Sequence, residues 1–264
     1  MTYLSNQFFI HPTISNRITT FIGDYIKPIT MPKFLIALLI PMLLAVSPKA
    51  VIPDSTRAAN IRAKVWPQLQ SDLKAAGFKD NQPIYLRIFK IPGILEVWVQ
   101  SGKQYKLFRQ YLVCFYSGGL GTKTRNGDGK CPEGYYTITP AQLQPVSTFH
   151  LAMNIGYPNL YDRQHGYTGD NIMIHGNCVS IGCYAMTDPK IEEIYTLVYE
   201  AFQHGQKAVQ VSIYPFKLTN DTLDTYSLWS TYRFWESLKP GYDLFERTHV
   251  PPLVTVVDKH YAFR

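Results

Sequence analysis

At Ile84 the hydrophobic period of this chain changes from four to two, and that change decides the class of fold it can adopt. Upstream, Ile61, Val65, Leu69 and Leu73 recur every four residues behind Asp54 and Ser55, either of which can cap. Residues 55–76 are therefore predicted to be a helix, kinked by Pro67 and ended by Gly77. From Ile84 onward Ile84, Leu86 and Ile88 alternate with other residues. Leu95, Val97 and Val99 follow, with Glu96, Trp98 and Gln100 on the opposite face, and the pattern continues from Tyr105 to Tyr116. Pro92-Gly93 and Ser101-Gly102 stand where turns are needed, so an antiparallel meander is expected.

Further strands are predicted at Tyr135–Ile138, His150–Asn154, Ile172–His175 and Val209–Ile213. Asp188 is expected to cap a second helix with Pro189 at its first position. Ile191, Ile194, Tyr195, Val198 and Phe202 form its apolar stripe and Gly205 closes it. The Trp- and Tyr-rich stretch 221–264 should hold a helix about Tyr232–Leu238 and pack on the sheet. The class is thus mainly β with flanking helices, α+β. With 46% hydrophobic and 17% charged residues, the 264-residue chain can bury one substantial core. Five glycines between 117 and 131 predict a mobile surface loop, and Asn126-Gly127-Asp128 is too small a fragment of a calcium loop to predict calcium.

Phe34–Val46 is an uncharged apolar run of thirteen residues, short for a bilayer-spanning helix and suited to the core of a signal peptide. Met31-Pro32-Lys33 directly before it would supply a start and a basic flank, leaving residues 1–30 untranslated. Residues 31–50 then form the signal peptide, with cleavage near Ala50 or after Ser47. A retained membrane anchor is the alternative. Removing residues 1–50 takes away four of 26 basic and one of 19 acidic residues, leaving net +4. That mild excess suits a polyanionic surface and is also ordinary for a soluble domain, and without a basic stripe or motif it excludes nucleic acid as a partner.

An exported chain can hold disulfides, and there are four cysteines: Cys114, Cys131, Cys178 and Cys183. Cys114 with Cys178 is the first pair to test, although Cys114 also fits a buried apolar strand position. The chemistry concentrates in His175-Gly176-Asn177-Cys178-Val179-Ser180-Ile181-Gly182-Cys183. A thiol after glycine with an imidazole eight residues upstream offers a nucleophile and its base, with Cys183 expected to become a thiolate at His175. Ser180 is expected either to orient His175 or to serve as a turn residue, and the backbone N–H groups of Gly182 and Cys183 are candidate oxyanion donors. Cys178 competes as a disulfide partner, resolving thiol or nucleophile. Zinc on His175, Cys178 and Cys183 is a weaker reading, since no fourth ligand lies nearby. Tyr157, Tyr161, Asp162, Arg163 and His165 are expected either to line a substrate groove, with Arg163 holding a carboxylate, or to pack a loop. Glu133 reads as a turn residue.

Ile174-His175-Gly176 followed by Ser180-Ile181-Gly182-Cys183 resembles the signature of the L,D-transpeptidase (YkuD) catalytic domain family. Ile181 stands where the wider family has a second His, and Tyr184-Ala185-Met186 where it continues with an aliphatic residue and Arg. Both departures resemble the YafK-like branch, as do Pro132-Glu133-Gly134-Tyr135-Tyr136, Gly156-Tyr157-Pro158-Asn159-Leu160-Tyr161-Asp162, Pro215-Phe216 and Gly241-Tyr242-Asp243-Leu244-Phe245-Glu246-Arg247. The resemblance implies a β-sandwich catalytic domain at 83–218 between an N-terminal helix at 51–82 and an extension at 219–264. It implies an exported, periplasmic enzyme acting on peptidoglycan stem peptides through a thioester on Cys183, with no cofactor. Hydrolytic release of a linked lipoprotein or peptide is favoured slightly over crosslink-forming transpeptidation. A non-catalytic wall-binding module is the third reading.

Overall fold

The computed structural model describes residues 51–264, and the apolar run 34–46 with its expected start and cleavage positions lies outside the described residues. Helix α1 spans Thr56–Ala75, with Ser55 as its cap: the Ser55 Oγ accepts the Ala58 N–H at 3.1 Å. Asp54 is drawn instead into a pair with Arg62. The helix runs through Pro67 and buries Leu69 and Leu73.

Strands β1 (Ile84–Phe89), β2 (Ile94–Ser101) and β3 (Gln104–Leu112) form the expected meander. They are followed by β4 (Phe115–Tyr116), β5 (Gly134–Ile138), β6 (Leu143–Ser147), β7 (His150–Asn154), the short helix α2 (Leu160–Gln164), β8 (Met173–His175) and β9 (Tyr184–Ala185). Helix α3 (Asp188–Gln203), β10 (Val209–Tyr214), α4 (Asn220–Thr225), α5 (Tyr232–Thr248) and the hairpin β11 (Val254–Val257) with β12 (His260–Phe263) complete the chain. One five-stranded sheet has the order β3-β2-β1-β10-β5, with β1 and β10 parallel. The other has the order β4-β9-β8-β7-β6, with β8 and β9 parallel.

Both sheets and α3 share one core. Leu86, Ile88, Leu95, Val97 and Val99 from the first sheet join Leu151, Met153, Ile174 and Tyr184 from the second and the whole predicted stripe of α3. The first sheet is covered on its other face as well, where Phe89, Tyr135 and Tyr214 pack on Trp235, Leu238 and Tyr242 of α5. All six residues of β1 are consequently buried, whereas alternation alone accounts for three. Each large side chain buried by α5 contributes roughly 1.5–3 kcal/mol, so the C-terminal segment is part of the fold. The α5 helix is ten residues longer than expected because it continues through Pro240 to Thr248.

Residues 117–131, expected to form a mobile surface loop, are exposed at Gly118, Gly119, Arg125, Asn126 and Gly127 but tied to the interior at several points. Lys90 and Glu133, both with fully buried side chains, form an ion pair at 3.0 Å. The Lys90 Nζ also donates to the carbonyls of Gly119, Gly121 and Cys131. Glu133 accepts the Gly121 N–H at 2.9 Å and the Trp235 indole N–H at 2.7 Å, so it is a buried anchor and not a turn residue. Within Asn126-Gly127-Asp128 the Asp128 carboxylate takes the Lys123 ammonium at 2.9 Å and the N–H groups of Thr124, Arg125 and Lys130. Burial alone would raise the carboxyl, but these donors hold it at about 2.

Candidate active site

His175 ends β8 and Cys183 stands one residue before β9, in the sheet where Ile174 faces Tyr184 and His175 faces Ala185. Extending this register by one residue puts Cys183 beside Met173, two residues from His175 and on the same face. Parallel neighbours usually need a crossover of a dozen or more residues. Here residues 176–183 suffice, because β9 is two residues long and the loop is tied down at several points. A disulfide joins Cys178 to Cys114, with Cα atoms 5.4 Å apart. The Asn177 N–H donates to Asp188 Oδ1 at 2.7 Å, and the Thr187 N–H to the Asn177 carbonyl at 2.8 Å.

This corrects the expected role of Asp188: Thr187 is the N-cap of α3, and the Asp188 carboxylate serves the motif loop. It also explains Gly176. A Cβ there would lie 2.6 Å from Asp188 Oδ1 and 2.8 Å from the Phe149 carbonyl, so no larger residue fits without moving the strand end that carries His175. Gly176→Ala is expected to cost about 1–3 kcal/mol in stability and to reduce turnover beyond what the loss of folded protein explains. Thermal melting and activity at a temperature where the variant is fully folded separate the two effects. At Gly182, φ is +115°, a region that side chains avoid, so the turn into Cys183 requires glycine.

Cys183 and His175 open on one cavity of about 370 Å³, lined also by Phe149, Val179, Ser180 and Ile181. The His175 Nδ1 is 2.6 Å from the Gly176 carbonyl, which can only accept, so Nδ1 carries the proton. In the neutral ring Nε2 is then the basic nitrogen. Phe149 packs against the imidazole with ring centroids 4.6 Å apart. Burial lowers the His175 pKa from its ordinary 6.5, and the Gly176 carbonyl offsets this only in part. Burial raises the Cys183 thiol above its ordinary 9.0, against the pull of the Met173 N–H and the Lys123 ammonium. Both directions favour the uncharged forms, a neutral thiol beside a neutral imidazole, over the thiolate expected from the motif.

Ser180 does not orient His175. Its Oγ accepts the Cys183 N–H at 2.7 Å and donates to the Cys183 carbonyl at 2.8 Å, closing the turn that presents the nucleophile. This bond occupies the Cys183 N–H and removes it as an oxyanion donor, leaving Gly182 as the backbone candidate. The zinc reading loses a ligand, because the Cys178 sulfur is bonded to Cys114.

Tyr157, Tyr161 and Arg163 do not line the cavity. The Tyr157 hydroxyl donates to the carbonyls of Lys123 and Thr168, and Tyr161 stacks between His165 and Tyr261. Arg163 is exposed and donates to the Pro158 carbonyl. Asp162 is wholly buried, accepts from the Tyr136 hydroxyl and the Asn159 N–H, and is raised by burial to about 6. Sequence reasoning missed Phe149, which is distant in sequence and marked by no motif, and Cys131, which lies behind the nucleophile.

A family model described as YkuD, L,D-transpeptidase catalytic domain, matches residues 94–213. "Putative L,D-transpeptidase YafK" of Escherichia coli (strain K12) is 51% identical over 182 residues, covering 69% of this chain and 74% of that protein. Among solved structures, the helical cell shape determining protein Pgp2 from Campylobacter jejuni aligns at 20% identity and a TM-score of 0.41, covering 72% of this chain and 80% of that one. Bd1075 of Bdellovibrio bacteriovorus aligns at 17% identity and 0.37, covering 70% and 88%. At these scores the two structural likenesses are too loose for any comparison of sites.

Proposed function

Because this chain belongs to the L,D-transpeptidase catalytic domain family, whose members act on peptidoglycan, we propose that it is an exported cysteine enzyme that cleaves an amide at the diamino acid of stem peptides through a thioester on Cys183. The observation that carries this reading is the shared cavity of Cys183 and His175, with Nδ1 engaged by Gly176 and Nε2 left as the base. As Cys183 Sγ attacks the carbonyl at the L centre, Nε2 takes the thiol proton. The C–N bond then breaks, the amine leaves with that proton, and the acyl group stays on sulfur. Water attacks the thioester, gives its proton to Nε2 and releases a free carboxylate. The thiol is reprotonated from the imidazolium. The Gly182 N–H is the proposed backbone donor to the oxyanion.

An uncharged lining gives an amine acceptor no anchor, which supports hydrolysis. Phe149, Val179, Ser180 and Ile181 carry no charge, and Ile181, at 88% exposure, stands at the mouth. The charged groups of a second diamino acid would find no counterion among them. A wall fragment bearing a lysine-linked peptide, supplied without free amine acceptor, should release the peptide and leave a tripeptide stem with a free carboxylate, seen by mass spectrometry. Crosslinks between two diamino acids from tetrapeptide stems, with no peptide release, would instead establish transfer. The released partner in the cell would be a wall-linked lipoprotein or peptide.

The pKa directions give a second test. If neutral His175 is the base, kcat/KM should be flat at neutral pH and fall as pH drops through a value below 6.5, where the imidazole takes a proton. In His175→Gln the residual rate should climb with pH toward a value above 9.0, following the thiol itself. A wild-type profile that tracks thiol ionisation would overturn the neutral-pair mechanism.

A further inference from the structure

Cys131 lies behind the nucleophile, and no step above uses it. It is wholly buried and free, and its Sγ–H donates to the Cys183 carbonyl at 3.0 Å. The next residue makes a second grip, since the Pro132 carbonyl accepts the Tyr184 hydroxyl at 2.7 Å. Residues 131–132 thus hold residues 183–184 at two points. The Cys131 carbonyl is in turn fixed by the Lys90 ammonium at 2.8 Å, inside the buried pair with Glu133.

We propose that Cys131 is a positioning residue for Cys183: its thiol, with the Ser180 hydroxyl, fixes the peptide plane after the nucleophile and so the direction in which Sγ points. The inference rests on Cys183 being the nucleophile. Burial raises the Cys131 thiol to about 11, so it keeps its proton and its donor role throughout the neutral range and is a poor nucleophile itself. A carbonyl with one donor can swing where a carbonyl with two cannot, and small displacements of a reacting atom cost large factors in rate.

Cys131→Ala removes the donor, while Cys131→Ser keeps a donor in nearly the same place. Iodoacetamide alkylation, with the modified residue located by peptide mass mapping, reads nucleophile reactivity without a wall substrate, and kcat and KM are measured beside it. Cys131→Ala should alkylate at Cys183 about tenfold more slowly and lose a similar factor in kcat with KM unchanged. Cys131→Ser should stay near wild type. A lower melting temperature in Cys131→Ala with an unchanged Cys183 alkylation rate would mean that Cys131 only fills space, and would sink the proposal. If wild-type protein is not labelled preferentially at Cys183, the nucleophile assignment itself fails, and this inference goes with it.

Discussion

Cys183→Ala is expected to lower turnover of the wall substrate by roughly four orders of magnitude or more, with a melting temperature close to wild type. The large kinetic effect follows from covalent chemistry: with no sulfur there is no thioester, and no other side chain on the cavity is a nucleophile of comparable strength. The small structural effect follows from the few contacts of the thiol. It accepts the Met173 N–H at 3.4 Å and donates toward the Asn171 carbonyl at 3.7 Å, two bonds that are weak because sulfur is a weak donor and acceptor. The backbone bonds of Cys183 to Ser180 and Cys131 do not involve its side chain and survive the substitution. Cys178→Ala is the control. It breaks the bond to Cys114 and should lower stability while leaving measurable activity. An inactive Cys178→Ala beside an active Cys183→Ala would reverse the assignment of the nucleophile.

The largest loss of stability is expected from Glu133→Ala, about 3–5 kcal/mol, or a fall in melting temperature on the order of 10 °C. Both side chains of the Lys90–Glu133 pair are fully buried, so removing the carboxylate leaves an ammonium without a counterion in the interior. Two further donors, the Gly121 N–H and the Trp235 indole N–H, lose their acceptor at the same time. Lys90→Met should be less damaging than Glu133→Ala, because methionine keeps most of the side-chain volume and the carboxylate left behind retains the Gly121 and Trp235 N–H donors, although the carbonyls of Gly119, Gly121 and Cys131 lose the ammonium. Thermal melts of the two variants, and of the double variant, measure the coupling. A Glu133→Ala protein within 1 kcal/mol of wild type would show that the pair is not an anchor. Activity should fall along with stability, since Cys131 hangs from the same ammonium.

Much of the chain was legible because its signals are local. The period of two at Ile84, Leu86 and Ile88 became β1, the stripe from Ile191 to Phe202 became the buried face of α3, and Ser55 capped α1. Strand β9 was invisible, because two residues cannot display a period, and its partner β8 is what makes it a strand. The C-terminal hairpin was missed for a related reason: β11 and β12 are four residues each, and Tyr261 and Phe263 pack on Tyr135 of β5, more than a hundred residues away in sequence. Glu133 and the glycine-rich loop misled for the opposite reason. Their composition is that of a turn and a flexible segment, and nothing adjacent in the chain announces Lys90 or Trp235.

By itself, the sequence determined the α+β class, the strands of the meander, the helix after Pro189 and the pairing of a histidine with a cysteine across a short loop. Each of these depends on residues within about one turn or one hairpin of one another. Only the tertiary structure decided that burial pushes His175 down and Cys183 up, that Ser180 bonds the backbone of the nucleophile and not the base, and that Tyr157, Tyr161 and Arg163 are not among the residues lining the cavity. It also decided that Cys178 is spent on Cys114 and that Cys131 stands behind Cys183. The two cysteine contacts join residues 64 and 52 positions apart, and desolvation is a property of the assembled interior that no local pattern of residue types carries.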